Sequence, residues 1–299
     1  SNPAPVAGDD TGTTDEDTVL NVAADGVLTN DADGTPDGDA LDVTEVDSDS
    51  NNVGSAVAGS DGGQFTIESD GAYAFNPAGD FDDLAVGESR DTSIAYTVTD
   101  ADGATDTATL TLTVDGVNDA PTTSGLGNRA SEDGESVSVD VSGAFADVDS
   151  SDTLTFSASG LPPGLSIDTA TGEISGAIDF DASTGGPYAV TVTADDGNGG
   201  SESAGFTWTV TNPAPVAVND SDSTDEDTAI SRNAANGVID SNDADTAPDG
   251  DALTLDQVEG DVANVATAVT GSDGGAFTIS SDGSYSFDPN GAFEDLAVG

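Results

Sequence analysis

Carboxylate oxygen is nearly the whole chemical repertoire of this chain. Of 299 residues, 59 are Asp or Glu, three are arginine (Arg90, Arg129, Arg232), and lysine, histidine and cysteine are absent, for a formal net charge of −56. Without cysteine there is no disulfide, thiolate nucleophile or Cys-based zinc site, and without lysine no Schiff base or isopeptide staple. The lack of histidine removes the usual general base and the commonest transition-metal ligand. What remains is the binding of a hard cation, calcium or magnesium, by oxygen.

The acids recur in three patterns. Near the start of each repeat lies a Glu: Glu16, Glu132 and Glu226. Next come Asp-x-Asp pairs: Asp31 and Asp33 with Asp37 and Asp39, Asp147 and Asp149 with Asp152, and Asp243 and Asp245 with Asp249 and Asp251. Hairpin tips carry the last set, Asp100, Asp102 and Asp106, then Asp195 and Asp196. Calcium takes six to eight oxygens at about 2.3–2.6 Å, and alternating acids on a turn can aim several at one point. Gathering them with no cation costs repulsion and raises their pKa values. None is an EF-hand, which needs Gly at position 6 and Glu at position 12 of its loop.

Most other acids read as a solvated surface suited to a salty, halophilic setting. The field repels phosphates and anionic lipid heads, so neither nucleic acid nor membrane is an expected partner. No run approaches the roughly 20 apolar residues of a membrane helix. Paired carboxylates could serve glycoside hydrolysis, but no cleft signal accompanies them, and no enzyme is expected.

Elements that could hold these acids are legible in the alternation. Ile94, Tyr96 and Val98 alternate with polar or small residues up to Asp100, and Leu110, Leu112 and Val114 do so after Asp106, the pattern of a hairpin with carboxylates at its tip. Phe65 and Ile67, then Asp70-Gly71, then Tyr73 and Phe75 predict a second hairpin with its aromatics in the core. No segment keeps a 3.6-residue apolar period, so almost no helix is expected.

The chain also repeats itself. NPAPVA at 2–7 returns at 212–217, DEDT at 15–18 returns at 225–228, and SDGG at 60–63 returns at 272–275. The middle shares only its ends with these, and its last strand aligns Trp208 with Leu112 as core. The prediction is an all-β chain of three tandem β-sandwiches in an elongated array: 1–118, a different type at 119–211, and 212–299 as a second copy of the first. That copy stops at the equivalent of Gly87, short of the last two strands, so the chain reads as a window from a longer polypeptide.

The motifs NDADGTPDGDAL at 30–41, DGAYAFNP at 70–77, YTVTDADG at 96–103 and NDAP at 118–121 resemble the VCBS or cadherin-like repeats of bacterial and archaeal surface adhesins. The middle, through DVDSSDTLTF at 147–156, LPPGLSIDTATGEISG at 161–176 and VTVTADDGNGG at 190–200, resembles the dystroglycan-type cadherin-like, Ig-related repeat. The resemblance implies Ig-like sandwiches with calcium at their junctions. Carried over, the first junction would use Glu16, Asp100, Asp102, Asn118 and Asp119 with Asp147, Asp149 and Asp196. The second would use Glu132, Asp195, Asp196 and Asn212 with Asp243 and Asp245. Its linker, Thr211-Asn212-Pro213, lacks the Asp that follows Asn118, and Ala194 replaces the counterpart of Asp100.

The implied function is an extracellular, surface or matrix, structural and adhesive segment: a calcium-stiffened stalk whose partners are its own neighbouring modules. One alternative is a self-assembling filament or biofilm fibre, in which an identical chain completes the third module by strand donation. Another is an accessory module binding cell-surface or matrix glycans, which the scarcity of aromatics outside predicted cores disfavours.

Overall fold

The computed structural model describes residues 3–34, 38–239 and 245–294, and among them every regular element is a strand or one turn of 3₁₀ helix. In the first module, β1 (Asp10–Asp15), β2 (Leu20–Val22), β3 (Asp42–Val46), β4 (Val57–Ala58), β5 (Gln64–Ile67), β6 (Tyr73–Asn76), β7 (Ser89–Thr99) and β8 (Thr105–Asp115) build two sheets, ordered β1-β8-β7-β3 and β2-β6-β5-β4. Their inner faces bury Phe65, Ile67 and Phe75 against Ile94, Tyr96, Val98, Leu110, Leu112 and Val114, the alternating set read from the sequence. Tyr96, 1% exposed, sends its hydroxyl to Asp10 Oδ2 at 2.7 Å, satisfying a donor that burial would strand.

The second module holds β9 (Thr122–Thr123), β10 (Arg129–Glu132), β11 (Ser136–Asp140), β12 (Phe145–Ala146), β13 (Thr155–Ser159), β14 (Leu165–Ile167), β15 (Glu173–Ala177), β16 (Tyr188–Asp195) and β17 (Ser201–Thr211). A sheet ordered β10-β17-β16-β13 faces the sheet β11-β15-β14, with β12 and β9 paired beside them. Trp208 is 1% exposed between Phe206 and the Arg129 guanidinium, as its match to Leu112 predicts.

Both modules share a parallel pair that fixes polarity. β1 runs parallel to β8, with Asp10 opposite Leu110 and Asp15 opposite Asp115, and β10 runs parallel to β17, with Glu132 opposite Thr211. The β7–β8 and β16–β17 tips therefore lie at the N-terminal end of their own modules, and the ends of β8 and β17 feed the linkers.

Among the described residues the third module forms one sheet, β18 (Ile230–Arg232), β21 (Tyr285–Asp288), β20 (Ala276–Ile279) and β19 (Val269–Thr270), in the order β18-β21-β20-β19. Residues 220–225, equivalent to β1, form no strand. A groove of about 560 Å³ opens over Ile230, Val238, Phe277, Ile279, Phe287 and Phe293. Phe277 is 38% exposed where its equivalent Phe65 is fully buried, and among the described residues no strand like β7 or β8 packs over it.

Candidate metal centre

The seam between the first two modules is built from four pieces. Glu16 follows β1, and its backbone N–H still reaches Asp115 O at 3.1 Å, which fixes it at the C-terminal end of the first sandwich. Its Oε1 accepts from Val117 N at 2.8 Å, tying the linker down. Asn118 and Asp119 are that linker: Asn118 Nδ2 donates to Asp196 Oδ2 at 3.0 Å, and Asp119 N donates to Asp149 Oδ2 at 3.0 Å. The loop after β12 brings Asp147, Asp149 and Asp152, and the β16–β17 tip brings Asp196.

Two groups of acids close at this seam. Carboxylate oxygens of Glu16, Asp119 and Asp149 lie within 4.8 Å of one another, and so do those of Asp147, Asp152 and Asp196. Asp196 is shaped from within: its Oδ1 accepts from Asn198 N at 2.7 Å, Gly199 N at 2.9 Å and Gly200 N at 3.0 Å, leaving Oδ2 turned to Asn118. Asp152 Oδ2 accepts from Asn198 Nδ2 at 2.8 Å.

Four oxygens here, Glu16 Oε2, Asn118 Oδ1, Asp147 Oδ2 and Asp149 Oδ1, are buried with no hydrogen-bond donor. Such atoms are costly unless something electropositive meets them. Neither ion pair among the described residues, Arg90–Asp83 or Arg232–Asp222, supplies it. Burial, outweighing the Val117 hydrogen bond and reinforced by Asp119, Asp149 and Asp17, pushes the Glu16 carboxyl up to about 7. Burial also raises Asp149 and Asp119, with neighbouring acids adding to it. In Asp196 burial acts in the same direction, but Asn118 and the three backbone N–H groups overcome it and hold the carboxyl low. Oxygen-only donors, several orphaned and several anionic, fit a hard divalent cation.

Several expected ligands lie elsewhere. Asp100 and Asp102 do not face the first seam, because the parallel β1–β8 pair places their tip at the opposite end of the first module. There Asp100 Oδ1 accepts from Asp102 N at 3.0 Å and from Ala104 N at 2.8 Å. For the same reason Asp195 and Asp196 do not reach the second seam. Asp195 is exposed at the first-seam end and caps its own turn through Gly197 N at 2.9 Å.

Glu132 is exposed, and the residue in the register of Glu16 is its neighbour, Asp133, whose N–H bonds Thr211 O at 3.0 Å. Asp133 is 4% exposed, accepts from Ser183 N at 2.8 Å through Oδ1, and leaves Oδ2 unpartnered. At that second seam Asn212, its amide nitrogen turned inward, donates to Asp249 Oδ2 at 2.8 Å. Asp245 accepts from Val218 N through Oδ1 and leaves Oδ2 unpartnered. That places Asp245 in the role Asp31 plays for Gly8 N, two positions off the sequence offset. Asp243 and Asp37 fall outside the described residues. Asp133 was passed over in favour of Glu132, and Asp152 and Asp249 were grouped with the acids but not assigned to a junction.

Three family models divide the chain between them. Residues 2–116 match the bacterial cadherin-like domain, 120–211 match the "Putative Ig domain", and 212–297 match the bacterial Ig domain. The chain is a tandem of cadherin-like and Ig-like repeats.

Among solved structures, the repeats are similar to human mucin-like protocadherin EC1-2 at 13% identity, covering 69% of this chain and 98% of that one, with a TM-score of 0.44. Mouse cadherin-23 EC22-24 is similar at 17% identity over 70% of this chain and 64% of that one, with a TM-score of 0.46. No curated protein matches the sequence. The first and third repeats, so alike in sequence, match different models. Among the described residues no helix is long and apolar enough to cross a membrane.

Proposed function

We propose that the chain is an extracellular structural and adhesive segment of a larger surface or matrix protein, a stalk whose first seam is stiffened by calcium. Cadherin-like and Ig-like repeats in tandem support the extracellular, adhesive part of the reading. The calcium part rests on one observation: two closed carboxylate groups at a module boundary with four buried, donorless oxygens between them.

Glu16, Asp119 and Asp149 would hold one ion, and Asp147, Asp152 and Asp196 with Asn118 Oδ1 a second. The ion supplies the positive charge that the side chains lack. The chain's own part is to draw these ligands from both modules and the linker, so that loading the site also fixes the angle between sandwiches. At the second seam Asp133, Asp245, Asp249 and Asn212 are the corresponding candidates. Small-angle scattering of the chain in millimolar calcium and in chelator tests the reading. The maximum dimension should change and the ensemble narrow with calcium; identical curves would remove it.

A second reading, strand complementation, is favoured by the open groove of the third module. Two alternating strands like β7 and β8, inserted between residues 220–225 and 254–258, would cover Phe277 and Phe287. A peptide spanning Glu88–Asp115 should bind the chain and raise the melting temperature of this module, and failure to bind would dismiss it.

A further inference from the structure

With three cations against 59 acids, where each arginine sits carries information. Arg90, second residue of β7, stands opposite Val114, on the core side of the sheet at the end nearest the first seam. It makes three contacts with the loop that precedes β7. Its NH2 lies 2.6 Å from Asp83 Oδ2, its NH1 donates to Asp80 O at 3.2 Å, and its guanidinium stands 5.6 Å from the centre of the Phe81 ring.

The loop is anchored from below as well. Phe81 is fully buried, edge-on to Phe75 at 6.1 Å, and Asp80 Oδ2 accepts from Gly63 N at 2.8 Å. What this fixed loop offers outward is the Asp83 carbonyl. That oxygen accepts two hydrogen bonds from the second module, from Ser150 N at 3.3 Å and Ser150 Oγ at 3.2 Å. Ser150 directly follows Asp149, one of the seam carboxylates.

From this geometry we propose that Arg90, loop 80–85 and Ser150 form a cation-independent latch across the first seam: the guanidinium holds the loop so that the Asp83 carbonyl grips Ser150 with no ion present. An exposed ion pair by itself is weak. Here one guanidinium fixes a carboxylate, a carbonyl and an aromatic ring of the same loop, so its loss frees the loop as a unit. Arg90 is a positioning residue, and it acts on the second module only through Asp83. In chelator, where the acids repel one another, the latch keeps Asp149 beside the linker and so presents a gathered site to an arriving cation.

The chain has no cysteine, so the exposed positions Val19 and Ser166 can be changed to cysteine and spin-labelled, one in each module. Double electron–electron resonance on the full chain in chelator then reads the spread of the intermodule distance. Arg90→Gln should broaden it at least twofold, Arg90→Lys should fall between, and Ser150→Ala, which leaves the first module untouched and removes the Oγ bond while keeping the N–H one, should broaden it by less than Arg90→Gln. If Arg90→Gln compromises the first module, Ser150→Ala decides alone. Spreads in chelator that match the unsubstituted chain for both Arg90→Gln and Ser150→Ala would overturn the latch. These comparisons need no calcium; if added calcium narrows none of the distributions, the calcium reading falls while the result in chelator stands.

Discussion

Glu16 and Asp133 occupy the same register at the ends of β1 and β10, and one methylene separates their behaviour. Glu16 is long enough to reach Val117 N in the linker; Asp133 stops within its own module at Ser183 N. Burial of Glu16 among other acids gives it a folded pKa of about 7, above an ordinary value of 4.5. The folded chain thus holds this proton more tightly than the unfolded chain, so the stability linked to it is complete below about pH 4.5 and is lost as pH rises to about 7. The ceiling of the effect is roughly 3 kcal/mol. Calcium favours the ionised form and opposes the loss. In chelator the first module should melt at progressively lower temperature from pH 5 to pH 7.5, Glu16→Gln should flatten that slope, and calcium should raise the melting temperature most above pH 7. A chelator profile that rises with pH would contradict the placement of Glu16.

The long hairpins are the elements that decide where chemistry collects. Alternation made β7, β8, β16 and β17 legible, along with the core role of Trp208, the Asp70-Gly71 turn and the near absence of helix, because a strand half in a core must alternate. Alternation says which face a residue takes and nothing about which end of the sandwich a tip points to. That end is set by β1 pairing parallel to β8, a contact between residues about one hundred positions apart such as Asp10 and Leu110, and no local pattern carries it. Hence Asp100 and Asp102 were expected at the wrong seam, and Asp196 at both. The choice of Glu132 over Asp133 failed similarly, since adjacent acids are told apart only by the register of β10 on β17. A test at this scale is Gly200→Ala. A methyl there would meet Asp196 Oδ2 and the Ala120 backbone, so the tip must shift away from the linker. Calcium affinity at the first seam should fall about tenfold, while β16 and β17, whose core residues are unaffected, keep their melting temperature to within a few degrees.

At the scale of the whole molecule, a net charge of −56 asks for two separable kinds of relief. Long-range repulsion between modules is screened by any salt, with a Debye length of about 10 Å at 0.1 M. The donorless oxygens of Glu16, Asn118, Asp147 and Asp149 are too close together and too buried for a diffuse ion atmosphere to satisfy. Monovalent salt should therefore raise the melting temperature of every module in chelator, since folding concentrates like charge, yet leave the angular spread at the first seam as wide as before. Calcium at constant ionic strength should do the reverse, narrowing the seam at concentrations that hardly alter screening. Scattering and thermal melting, recorded along a sodium chloride series in chelator and a calcium series at fixed ionic strength, separate the two. If sodium chloride alone reproduced the calcium-dependent change in dimension, the acids would be acting only as a halophilic surface, and the chain would be a string of independent sandwiches rather than a cation-stiffened stalk.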